Sequence, residues 1–130
     1  FMGKESPEPT FDTVETKSPD DELLKRIMEV INENMSDSDL SVDVIAQKVG
    51  ISRVHLNRKM KELTNQTTHN FIRNIRLKQA AKLLLDSNRN VTDVMYACGF
   101  SNAASFSTMF KNLYGCSPRE YMNKAQEENP

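Results

Sequence analysis

One unit of this sequence occurs twice, and the duplication limits what the chain can fold into more than any other feature. Residues Ala46 to Leu63 and Met95 to Leu113 each read as a short apolar helix, a glycine, a serine-led turn and a helix with two different faces. Gly50 answers Gly99 at a separation of 49 residues, while Leu56 answers Phe106, Met60 answers Phe110, Lys61 answers Lys111 and Leu63 answers Leu113 at 50, so the second turn is one residue longer. Glycine permits the left-handed backbone that a tight interhelical turn needs. Solenoids also repeat, but they stack their copies into a continuous array. Here the stretch THNFIRNIRLKQAAKLLLD, Thr68 to Asp86, separates the copies and contains neither Gly nor Pro. Two helix-turn-helix units joined by one long helix fit that order.

Caps and apolar stripes predict an all-α chain of about seven helices. Ser18, Pro19, Asp20 and Asp21 form a capped, acidic helix start, and Leu24, Ile27, Met28, Ile31 and Met35 follow as one stripe. Ser41 caps a second helix with Val44, Ile45, Ala46 and Val49 inward, ended by Gly50. Ser52 caps the third, where Leu56, Met60 and Leu63 face in and Val54, Asn57, Arg58 and Lys61 face out. On the long helix Phe71 and Ile75 pair, and Leu77, Ala80, Ala81 and Leu84 form an inward row; its nineteen residues would span roughly 28 Å at about 1.5 Å each. Asn90 caps a fifth helix closed by Gly99. The sixth turns Phe106, Phe110 and Leu113 inward and Ala104, Ser107, Thr108 and Lys111 outward. Ser117, Pro118 and Glu120 set up a capping box for a last short helix through Tyr121 and Met122.

The formal net charge of −1 conceals a segregation of charge. From Leu40 to Arg119 twelve basic residues stand against four acidic ones, a surplus of eight positive charges, whereas the flanks carry a surplus of nine negative ones. A basic middle between acidic ends suits an anionic partner, although a merely solvated surface gives the same count. The two cysteines, Cys98 and Cys116, fit neither a zinc pattern nor a disulfide framework, and read as small apolar residues of a reducing compartment. His55 and His69, the two histidines, match no ligand spacing, so no metal or cofactor is expected. No apolar run reaches the roughly 18 residues of a membrane span. The start, FMGKESPEPTFD, has acids and prolines where a signal peptide would have a basic segment and an apolar core. Residues 1–17 read as a disordered linker or a cloning product, with the chain cut from a longer protein; residues 18–125 read as one domain and 126–130 as a tail.

Three stretches carry a resemblance to a known family: VIAQKVGISRVHLNRKMKEL, FIRNIRLKQAAKLLLDS and CGFSNAASFSTMFKNLYGCSPREY. Over about Leu23 to Met122 the chain resembles the DNA-binding domain of AraC-type transcription regulators. The resemblance implies two homeodomain-like helix-turn-helix subdomains on a long central helix, no enzymatic activity and a cytoplasmic regulator. It also implies double-stranded DNA and RNA polymerase as partners, a sensory or receiver domain in the parent chain, and activation more often than repression. Three departures stand out. Thr108 replaces a common basic residue, Met60 a common aromatic and Met95 a common alanine; the latter two keep apolar character, whereas Thr108 gives up any forked guanine contact.

The second helix of such a unit enters the major groove and reads base edges from its outward face. That nominates Arg53, Val54, Asn57 and Arg58 in the first unit, with Arg58 forking onto guanine, Asn57 pairing with adenine and Val54 touching a thymine methyl. Arg58 bound to phosphate or to Glu62 is the plainer alternative. The matching face in the second unit is Ala103, Ala104, Ser107 and Thr108, whose readout should be softer. Phosphate contacts are expected from Lys61, Lys111 and Arg73 and from the helix starts at Ser52, Ser101 and Asn102. Arg76 and Lys78 are either structural or solvated. Two readings from other classes compete: a helical protein-docking module, and a cysteine hydrolase using Cys98 with His69, the latter without an orienting group or an oxyanion loop.

Overall fold

The computed structural model describes residues 18–86 and 89–128, so the linker expected over residues 1–17 lies outside the described residues. Among the described residues there are seven helices and no strand: α1 (Pro19–Glu33), α2 (Val42–Val49), α3 (Arg53–Thr64), α4 (Thr68–Leu84), α5 (Val91–Ala97), α6 (Ala103–Tyr114) and α7 (Pro118–Glu128). None of them is long and apolar enough to cross a membrane.

Each helix begins where a side-chain oxygen takes up an otherwise unpaired amide. Ser18 Oγ accepts from the Asp21 amide at 3.2 Å, Ser41 Oγ from Val44 at 3.2 Å and Ser52 Oγ from His55 at 3.1 Å. Thr67 caps α4 and Asn90 caps α5 in the same way. At α6 the cap is Asn102, whose Oδ1 accepts from Ser105 at 2.9 Å, and Ser101 stands one residue before it.

The two turns share one geometry. Gly50 (φ 81°) and Gly99 (φ 83°) are both left-handed. The amide after each glycine returns to the carbonyl five residues back, Ile51 to Ala46 and Phe100 to Met95, both at 3.0 Å. The units differ in one detail: α2 ends on Gly50 itself, whereas α5 ends on Cys98, one residue before Gly99.

There are two cores, and α4 serves both. Ile27, Ile31, Ile45, Leu56 and Met60 are buried in the first, with Ile72 from α4 and with Phe71 and Ile75 packed against it. Leu77, Ala80, Ala81 and Leu84 of α4 enter the second, around Val94, Met95, Cys98, Phe106 and Phe110. Two residues expected to face inward do not. Met28 is 40% exposed and Leu113 is 42% exposed, each at the edge of its apolar stripe.

The last helix runs further than expected, to Glu128. Its start is the reciprocal box that Ser117 and Glu120 announce: Ser117 Oγ accepts from the Glu120 amide at 3.1 Å and Glu120 Oε1 from the Ser117 amide at 2.9 Å. Those bonds from Ser117 hold the Glu120 carboxyl below the usual carboxylate range. A depressed carboxyl stabilises the fold above its unfolded value and loses that contribution as pH falls through the folded one. Acidification below the ordinary carboxylate range is therefore expected to loosen the α7 start, seen as faster exchange of the Ser117 amide, and Glu120→Gln should flatten that dependence.

Candidate nucleic-acid interface

The outward face of α3 is open. Val54 is 74% exposed, a large apolar side chain that the described residues leave largely uncovered. Arg53, Asn57, Arg58 and Lys61 are exposed beside it. Arg58 has no ion-pair partner among the described residues. Glu62, the acid that might have held it, instead pairs with Lys59 at 3.5 Å, and Lys59 also reaches Asp20 at 3.1 Å. Those two acids raise the Lys59 pKa, with the Asp20 hydrogen bond the largest cause.

Two residues of that face carry contacts the sequence did not announce. Arg53 pairs loosely with Asp43 at 3.4 Å, both well exposed, an interaction of little strength. Asn57 Oδ1 accepts from the buried hydroxyl of Thr68 at 2.8 Å, which latches α3 to the first turn of α4. That bond takes one of the two lone pairs of Oδ1, which leaves Asn57 its amide donors and a single acceptor position for an outside partner.

In the second unit Ala103, Ala104 and Thr108 are exposed and Ser107 is half-buried. Lys111 and the helix-start residues Ser101 and Asn102 are exposed too, and Ser52 is exposed at the first helix start. The Ser52 oxygen is occupied by its own capping bond, as is Asn102 Oδ1, so these starts offer backbone amides more readily than side-chain acceptors.

A series of adjoining clefts connects the two units. Arg53, Asn57 and Lys61 of α3 share the wall of one with His69. His69, Arg73 and Arg76 line the next, against Leu40 and Val42 on one side and Phe100 and Met109 on the other. Arg73 then faces Met109, Asn112 and Leu113 of α6 across a third. His69, Arg73 and Arg76 recur at i, i+4 and i+7, one stripe of α4 from which the sequence reading expected only Arg73 to meet phosphate. That spacing was the available signal for His69.

Arg76 resolves to a structural role. It is 7% exposed, and its Nη2 donates to the carbonyls of Asp37 at 2.6 Å and Asn34 at 3.3 Å. Burial lowers its pKa, partly opposed by Asp37 and Cys98. Lys78, two residues on, is exposed.

The cysteine readings separate as well. Cys98 is fully buried, and burial pushes its thiol up to about 11, the reverse of what a nucleophile requires. Cys116 is half-buried rather than a core residue. No group of three or more potential metal ligands occurs among the described residues.

Comparison with known proteins agrees with this architecture. The family model described as "Helix-turn-helix domain" matches residues 45–124. A histidine kinase P4 of Formosa agariphila is 35% identical over 111 residues, covering 85% of this chain and 8% of the kinase. This chain spans about half or less of the first curated relatives it matches. Among solved structures, a transcriptional regulator of Chromobacterium violaceum described as containing an AraC-type DNA-binding domain superposes with a TM-score of 0.75 at 28% identity, covering 81% of this chain and 93% of that one. The C-terminal domain of AraT, a response regulator of Geobacillus stearothermophilus, gives a TM-score of 0.73 at 29% identity, covering 82% and 86%. With the matched family, the shared fold and the doubled turn geometry in agreement, the chain belongs to the helix-turn-helix family as an AraC-type DNA-binding domain, a class of transcription factors and not of enzymes.

Proposed function

We propose that this domain binds double-stranded DNA by seating α3 and α6 in successive major grooves on one side of the duplex, and that it does so as the transcription-activating output domain of a larger regulator. The observation that carries the reading is the unbroken run of clefts from the α3 face across α4 to α6, with Arg53, Lys61, His69 and Arg73 along it. The seventeen residues of α4 span about 25 Å, and with the flanking helix widths of about 10 Å they suit grooves that recur about every 34 Å. Residues 18–125 form the binding unit in this reading. The kinase and response-regulator names of two relatives support a place in signal transduction; an activating role in the cytoplasm with RNA polymerase as partner is carried by the family resemblance.

The roles divide by chemistry. Arg58, unpaired and exposed, offers a fork to guanine O6 and N7; Val54 offers apolar contact to a thymine methyl; Asn57 and Arg53 offer donors. Ala103, Ala104, Ser107 and Thr108 present small groups and hydroxyls, which tolerate several bases. Lys61, Lys111 and Arg73, with the amides at Ser52, Ser101 and Asn102, hold phosphates.

The test is selection of bound sequences from a random duplex pool, followed by footprinting. Two protected segments about one helical turn apart are expected. Arg58→Ala should cost about 1–3 kcal/mol at the selected site and relax preference at one base pair. Lys61→Ala should weaken all sequences alike and reduce the salt slope by about one. Absence of duplex association even at low ionic strength would end the proposal.

A further inference from the structure

Three parts of the chain meet at one point between the two units. Arg76 reaches from the middle of α4 to the Asn34 and Asp37 carbonyls, in the loop between α1 and α2 of the first unit. On its other side stands Gly99, the turn glycine of the second unit. A β-carbon built there would lie 2.8 Å from Arg76 Cζ, 2.9 Å from Nη1 and 2.7 Å from the Met35 carbonyl oxygen. The second turn is thus pressed against both the guanidinium and the first unit's loop. Gly50, its counterpart in the repeat, has the same backbone conformation and nothing within 4 Å of such a carbon.

Helix packing adds little between the units. The principal helix packings lie within α1–α4 or within α4–α7, and no helix of α1–α3 packs extensively on one of α5–α7. Because α4 gives each core a single stripe, it sets the axial rise between units but resists rocking about its own axis only through those two packings. The contact at Gly99 lies off that axis, where a fixed point opposes rotation.

We propose that Arg76 and Gly99 form a joint that fixes the rotational setting of the two units, making Arg76 a positioning residue that determines which half-site spacing the domain accepts. The inference rests on the two-groove reading above. Arg76 touches no base in it. Its guanidinium holds the α1–α2 loop by two carbonyls while its Cζ and Nη1 stand against Gly99, so the second turn is held at one angle. A looser joint lets α6 swing to meet a displaced groove, and the domain then accepts spacings that the intact joint rejects.

The experiment measures affinity for duplexes that carry the selected site with zero, one or two base pairs inserted between half-sites, and for a duplex with the first half-site alone. Each inserted pair turns the second half-site by about 34° and shifts it by about 3.4 Å. The intact domain should lose about tenfold for one inserted pair, a mismatch-sized penalty. Arg76→Met and Gly99→Ala should each lose less than about threefold, with half-site affinity held within about twofold. Wild-type spacing profiles in both variants, or equal losses at every spacing and at the lone half-site, would overturn the joint while leaving two-groove binding intact. An intact domain indifferent to spacing would instead remove the two-groove reading and the inference with it. A second measurement needs no DNA. Spin labels at Gln47→Cys of α2 and Thr92→Cys of α5, on a Cys116→Ser background, should give one narrow distance in the intact protein. Arg76→Lys, which keeps the charge but not the planar fork, should broaden it; an unchanged distribution would count against the joint.

Discussion

Replacing Phe110 with alanine is expected to lower unfolding free energy by about 3–5 kcal/mol, a large share of the roughly 5–15 kcal/mol that holds a domain folded. Phe110 is fully buried. Its ring stacks on Tyr114 at 4.7 Å, meets Tyr121 edge-on at 5.4 Å and lies 6.0 Å from Phe106, which is itself 5.0 Å from Phe100. That chain of rings joins the second turn, α6 and α7. Removing its centre leaves a hole bounded by aromatic faces on different helices, which cannot all move in to fill it. Burial and the neighbouring Tyr121 raise the Tyr114 pKa, in keeping with a phenol held in that apolar setting. Urea denaturation should show the midpoint falling at nearly constant slope. A loss below about 1 kcal/mol would mean that the second core is far looser than its packing implies.

The second large effect is expected at Gly99, with Gly50 as its internal control. An alanine at either position must adopt a left-handed backbone, at about 1–2 kcal/mol. At Gly50 the cost ends there, since the added carbon meets open space. At Gly99 the same carbon meets a backbone oxygen at 2.7 Å and a guanidinium carbon at 2.8 Å. Relieving that overlap adds about 1–3 kcal/mol, so Gly99→Ala should cost about 2–5 kcal/mol in all. Equal losses for the two substitutions, measured by the same denaturation, would show that the second turn is not pressed on its neighbours.

These two predictions mark where sequence reasoning reaches and where it stops. Gly50 and Gly99 are equivalent in the repeat, and their shared conformation was legible because it is set within five residues of chain. The caps at Ser18, Ser41, Ser52 and Asn90 were legible for the same reason, each being a bond across three residues. The difference between the glycines was not legible, since it comes from Met35 and Arg76, 64 and 23 positions away. Arg76 itself gave no decisive signal: its partners are backbone carbonyls 39 and 42 residues distant, and carbonyls leave no trace in residue type. Asn57 read as an outward-facing base reader, and it is exposed, yet the Thr68 hydroxyl claims its carbonyl from across the α3–α4 turn. Ser101 and Asn102 were both chemically able to cap α6, and local geometry chose the second. Helical period assigned Phe106 and Phe110 correctly to the core. It failed at Leu113 and Met28, because period gives the direction of a side chain and not how wide the covered face is.

The division of α4 between two cores also restricts how the length of this domain can change. Phe71, Ile72 and Ile75 belong to one core and Leu77, Ala80, Ala81 and Leu84 to the other. Each residue turns an α-helix by about 100°, so an insertion or deletion between Ile75 and Leu77 would throw the two stripes out of phase by that angle. One core would then face water, or α3 and α6 would lose their present setting relative to one another. Length variation has to be absorbed outside that helix, where an extra residue, such as the one that already distinguishes the second turn from the first, changes a local bend and leaves the phase intact.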